Sequence, residues 1–141
     1  MSYVLVEDTP GVGSIGYDDD LKAVVVTWLK NDNDVFRPRL EAELALVEQR
    51  LLSTVIVDTS NVKGALSEAN QTWLSDDFFP RLSKTSLRVL VSVVPHSAIA
   101  TLTNQRSFRA AQVPFDILSV PTVDEAYAVA ARVAKGQSPS G

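Results

Sequence analysis

Thr54-Val55-Ile56-Val57-Asp58-Thr59-Ser60-Asn61 decides how the rest of the chain is read. Its apolar residues are β-branched and do not alternate with polar ones. That is the pattern of a strand buried on both faces, inside a parallel sheet covered by helices. The run ends on a carboxylate, Asp58, placed to accept the backbone donors of the loop that follows. Gly64 continues the loop and a helix opens near Ser67, a residue suited to an N-cap. This helix carries Ala69, Trp73 and Leu74, and Phe78, Phe79 and Leu82 extend its apolar surface around Pro80.

Upstream of that strand lies the clearest helical period of the sequence. Phe36, Leu40, Leu44, Val47 and Leu51 recur at three- and four-residue spacing and form one apolar stripe. Glu41, Glu43, Glu48 and Arg50 are assigned to the other faces. Pro38 falls in the first turn, where its missing donor costs least. Asn31-Asp32-Asn33-Asp34 closes the preceding strand and offers caps. That strand, Ala23 to Leu29, follows the turn Asp18-Asp19-Asp20, with Ser14 to Tyr17 before the turn and Tyr3 to Val6 earlier still. An acidic turn between two short strands predicts an antiparallel hairpin.

Downstream, Leu87 to Val94 reads as a strand stopped by Pro95, Ser97 to about Ala111 as a helix, and Phe115 to Val120 as a strand. Thr122-Val123-Asp124-Glu125 has the form of a capping box. The last helix buries Val123, Ala126, Tyr127, Ala130 and Val133. The expected fold is α/β: a mixed sheet of about five to six strands, an N-terminal antiparallel hairpin followed by parallel helix–strand units, with about four helices. Residues 1–135 form a single domain and 136–141, rich in Gly, Ser and Pro, a disordered tail.

Composition narrows the function. The 141 residues contain no cysteine and one histidine, His96. Cysteine nucleophiles, disulfides, thiolate zinc sites and two-histidine metal sites are excluded. Asp and Glu number 17 against 13 for Lys and Arg, a formal charge of −4. No basic cluster offers phosphates a footprint, so nucleic acid is not an expected partner. No apolar run approaches the roughly 20 residues needed to span a bilayer, so no transmembrane segment is expected. The N-terminus lacks the basic start and apolar core of a signal peptide, which points to the cytoplasm.

Several motifs carry alternative chemistry. Gly11-Val12-Gly13-Ser14-Ile15-Gly16 spells the glycine pattern of dinucleotide binding. It lacks the following helix whose amides would hold pyrophosphate, and reads as a flexible loop between strands. The two acidic runs, Asp18 to Asp20 and Asn31 to Asp34, are read as solvated turns rather than cation sites. His96 lies beyond a strand end, but no nucleophile elbow accompanies it. No catalytic residue, metal ligand or cofactor is assigned. Trp28, Trp73, Phe78 and Phe79 are candidates to line an apolar pocket, the alternative being a solid core. Ser67 is an N-cap and also a candidate phospho-acceptor, because a phosphate there would meet helix amides.

The segment Val55-Ile56-Val57-Asp58-Thr59-Ser60-Asn61-Val62, with Leu66-Ser67-Glu68-Ala69 and Val120-Pro121-Thr122-Val123-Asp124-Glu125-Ala126, resembles a STAS-type domain, the fold of sporulation anti-anti-sigma factors. More narrowly it is similar to the bacterial STAS/SEC14-like proteins. The likeness spans about residues 14–134 in order and pattern. Leu66, Glu68 and Ala69 depart from the Asp-Ser-Ser-Gly phosphorylation motif of that family, of which Ser67 is kept. The resemblance implies a non-catalytic cytosolic module that binds a protein partner in signalling or regulation. Asp58, Ser60, Asn61, Ser67, Glu68 and Trp73 would form its contact face. The SEC14-like branch implies the alternative, a carrier or sensor of a small apolar or lipid ligand. Tyr3 to Val6, as an apolar edge strand, adds the expectation of a homodimer.

Overall fold

The computed structural model describes residues 3–94 and 113–139. Six strands form one sheet: β1 (Tyr3–Thr9), β2 (Gly13–Asp18), β3 (Ala23–Thr27), β4 (Thr54–Asp58), β5 (Val89–Val93) and β6 (Asp116–Val120). Their spatial order is their chain order. The first three pair antiparallel, and β3 to β6 pair parallel. The mixed α/β architecture is therefore the expected one. Among the described residues the helices are α1 (Phe36–Arg50), then α2 (Glu68–Trp73) running through a π turn at Leu74–Phe78 into α3 (Phe79–Leu82), and α4 (Val123–Ala134). The helix expected at 97–111, and His96 with it, lie outside the described residues.

Side-chain alternation along the strands sorts the core into two layers. Val24, Val26, Val55 and Leu90 pack with Ile15 against Phe36, Leu40, Leu44 and Val47 of α1 and against Phe78 and Leu82. Val25, Ile56, Val89, Val91 and Val93 point the other way, onto Ala126, Val129, Ala130 and Val133 of α4. The parallel register aligns Val24, Val55, Leu90 and Ile117 in one row across four strands. That row is the floor beneath α1 and the α2–α3 segment.

Several local expectations are corrected. Leu51 does not join the stripe of α1. It takes the left-handed cap conformation, φ +52°, and is 69% exposed, while the next residue, Leu52, is buried. Glu43 is not on an outer face: it is 1% exposed, and Arg39, one turn before it, is 2% exposed. The cap of α1 is Val35, with no side-chain bond, so the Asn/Asp run does not serve as its cap. That run is not merely solvated either. Asn31 Nδ2 donates to Gly64 O and Asn33 Nδ2 to Ala65 O, pinning the loop that follows β4. In the other acidic turn Asp18 is buried, and its carboxylate accepts from the backbone N–H of Asp20 and Leu21, closing the hairpin.

The glycine motif is mostly strand. Gly13 and Gly16 belong to β2. A Cβ on Gly13, at φ +147°, would lie 1.8 Å from Thr27 O, and one on Gly16 would strike the Tyr3 ring. These glycines are required by close backbone approach, not by a phosphate. At the other end, the Pro139 carbonyl accepts from Arg132 Nη2 at 2.7 Å.

Candidate functional site: an apolar cavity between sheet and helices

Trp28 follows β3 directly, and its backbone N–H donates to Asp58 O at 2.9 Å. This bond extends the β3–β4 ladder and turns the indole onto the α1 side of the sheet. There Trp28 meets Phe36, with ring centroids 5.6 Å apart. The contacts continue from Phe36 to Trp73, from Trp73 to Phe78, from Phe78 to Phe79 and from Phe79 to Phe115, each at 5.6–6.1 Å. Such spacings, in tilted, edge-on and stacked pairs, suit ring quadrupoles.

Pro80 accounts for the local form of the helix carrying three of these rings. It has no N–H to give to the preceding turn, and its ring crowds the carbonyl four residues back. The helix accommodates it with one wide turn, closed by Phe79 N–H to Leu74 O. The wide turn sends Leu74, Phe78 and Phe79 together to one place.

That place is a cavity of about 240 Å³. Phe36, Leu40 and Glu43 of α1 line it, opposite Val57, Leu90, Ser92 and Ile117 of the sheet. Trp28, Leu66, Leu74, Phe78 and Phe79 complete the apolar wall, with Asn31 and Thr59 at the strand ends. Strand order here follows chain order, so the described sheet has no switch-point crevice of the kind that holds ligands in open α/β folds. The open volume lies between the layers instead.

Of the four aromatic candidates, Trp28, Phe78 and Phe79 line the cavity. Trp73 does not: it stands behind Phe36 and Phe78, half-buried, with the guanidinium groups of Arg37 and Arg81 5.4 Å and 5.9 Å from its ring. The contact-face candidates divide differently. Asp58 belongs to the opposite face of β4 from Val57, and its carboxylate accepts from both the N–H and the hydroxyl of Ser60. Asn61 and Glu68 are exposed. The Ser67 hydroxyl is the N-cap of α2, accepting from Asn70 N–H at 3.1 Å. Asn70 is held by Arg37 Nε and donates to Asn33, while Ser67 N–H donates to Asn33 Oδ1. Ser67 is thus built into the junction between two loops.

Glu43 and Arg39 are the residues that sequence reading missed. Burial pushes the Glu43 carboxyl up to about 8, only partly offset by the charge of Arg39. Its Oε1 has no hydrogen-bond partner among the described residues. Burial also lowers the Arg39 pKa, against the pull of Glu7 and Glu43. Arg39 Nη2 donates to Ser14 O and Thr27 O, both at 3.2 Å, while its Nε and Nη1 have no hydrogen-bond partner among the described residues. The signal was positional. Residue 43 is three after Leu40 and four before Val47, in the middle of the apolar stripe.

No protein-family model, curated protein or solved structure matches the chain. Among the described residues no group of three or more acidic or histidine side chains is placed to hold a metal ion. No helix among them is long and apolar enough to cross a membrane.

Proposed function

We propose that this protein is a non-catalytic module that binds a small apolar molecule between its sheet and its helices. The observation that carries the reading is the cavity of about 240 Å³ walled by Trp28, Phe36, Phe78 and Phe79. A dry cavity of about 150 Å³ suffices for benzene, and drug-sized ligands take about 300 Å³ or more. The volume suits one ring or a short chain rather than a two-chain lipid. The likeness to SEC14-like proteins supports the same direction. Titration with ethylbenzene, followed by indole and methyl NMR signals, tests the reading. Saturable shifts at Trp28 and Val57, lost in Leu90→Trp, are expected. Unshifted signals at the solubility limit of the hydrocarbon would refute it.

A protein partner in signalling is the second reading, favoured by the way the loop after β4 is shared. Thr59 and Leu66 wall the cavity while Asn61 and Glu68 of the same region face solvent. A partner touching Asn61, Ser67, Glu68 and Trp73 would sense what the cavity holds. Replacing Trp73 by Ala and reversing the charge at Glu68 should abolish its capture, and capture that persists would remove this face.

A further inference from the structure

Within the cavity lining, Asn31 Nδ2 is committed to Gly64 O, and the Thr59 hydroxyl donates to Val93 O at 3.2 Å. Glu43 is different. It reaches the cavity from the buried face of α1, it is 1% exposed, and Oε1 is without a hydrogen-bond partner among the described residues. Arg39 does not complete it. That guanidinium is stacked over Trp28 and bound to backbone carbonyls of β2 and β3, and it does not line the cavity.

A buried oxygen left without a partner has lost its hydrogen bonds to water and gained none in return. A group supplied by a ligand would make good that loss only on binding. We propose that the Glu43 carboxyl is the polar anchor of the cavity, and that the ligand is a small uncharged apolar molecule bearing one hydroxyl group. This rests on the cavity reading above. The cause is chemical complementarity. A carboxyl kept neutral by its apolar surroundings has one donor and free acceptor positions, and a hydroxyl has the same pair, so two hydrogen bonds can form side by side. A ligand carboxylate would set a second negative charge beside one that burial already disfavours. The rings of Trp28, Phe36, Phe78 and Phe79 would hold the rest of the molecule by apolar contact and offset stacking.

The test compares 4-ethylphenol with ethylbenzene, by calorimetry or NMR, on the full chain and on Glu43→Leu and Glu43→Gln. The native protein should bind 4-ethylphenol at least about tenfold more tightly than the Leu variant does, the equivalent of about 1.4 kcal/mol. The Gln variant should keep most of the phenol affinity, and ethylbenzene should bind the Leu variant at least as well as the native chain. Equal phenol affinity in native and Leu proteins would overturn the anchor while leaving the cavity reading intact. Failure of both probes on the native protein would overturn both.

Discussion

The guanidinium carbon of Arg39 lies 3.9 Å from the ring centroid of Trp28, so a fully buried cation backs the indole that forms one wall of the cavity. The same group donates to Ser14 O and Thr27 O. It therefore joins α1 to β2, β3 and the cavity wall at once. A lysine cannot reproduce a planar group that stacks and donates sideways together. Arg39→Lys should cost about 2 kcal/mol, seen as a lower urea midpoint with unchanged slope. A variant as stable as the native chain would show that the stacking contributes nothing.

Glu43 should make stability fall with pH. Its folded-state carboxyl is raised from 4.5 to about 8, chiefly by burial, with Arg39 on the same helix pulling the other way. Between those values the native state keeps a proton that the unfolded chain has released. Unfolding free energy thus declines as pH rises from about 4.5 to about 8 and levels off above. Glu43→Gln has no such proton to lose. Its gain over the native protein should be near zero at pH 4.5 and largest at pH 8. Parallel pH profiles from urea melts would contradict this.

Gly13 and Gly11 both have positive φ but different surroundings. Gly11 has open space where a Cβ would go, whereas at Gly13 that atom would collide with the Thr27 carbonyl. Gly11→Ala should cost about 1 kcal/mol from backbone strain alone. Gly13→Ala should cost at least about 3 kcal/mol, because β2 must part from β3 beside Arg39. Thermal melts of the two variants distinguish these outcomes.

At Ser67 the structural role can be separated from a modification. The hydroxyl caps α2 through Asn70 N–H. Ser67→Ala should lower stability by about 1 kcal/mol, and Ser67→Asp, which retains an acceptor at the cap, should restore it. Equal melting midpoints for Ala and native protein would show the cap to be idle.

β1 should make the protein associate. Tyr3, Val4, Leu5 and Val6 are 42–54% exposed, on an edge strand whose one partner among the described residues is β2. Apolar edges of this kind add strands from other copies. Sedimentation should show a mass rising with concentration, and Leu5→Lys should hold the chain monomeric. A concentration-independent monomer in both would end this line.

The layer architecture was legible because it rests on period and order: valine-rich apolar runs in β3 to β5, a three-and-four spacing in α1, and the return to strand after each helical pattern. The site was only partly so. Trp28, Phe78 and Phe79 could be named from residue type, but the volume between them depends on the wide turn before Pro80, which no local pattern specifies. Glu43 is buried by its position in the stripe, although a carboxylate by residue type belongs on an outer face. Leu51 shows the converse: the period reaches it, but the backbone has already turned into the left-handed region. Trp73 shows a third limit, since residue type alone does not say which side of an aromatic cluster meets open space.

Because each strand lies beside the one made just before it, the sheet grows in a single direction as the chain lengthens. No strand must wait for a distant segment to slip between it and its neighbour. Contacts of short sequence separation close quickly, and chains leaving the ribosome fold from the N-terminal side. The β1–β2–β3 meander can stand while α1 is still being made, and each later strand seals the edge left open by the last. From β2 to β5 each newly made edge is covered by the next strand of the chain, whereas β1 keeps the outer edge on which its exposed apolar residues lie.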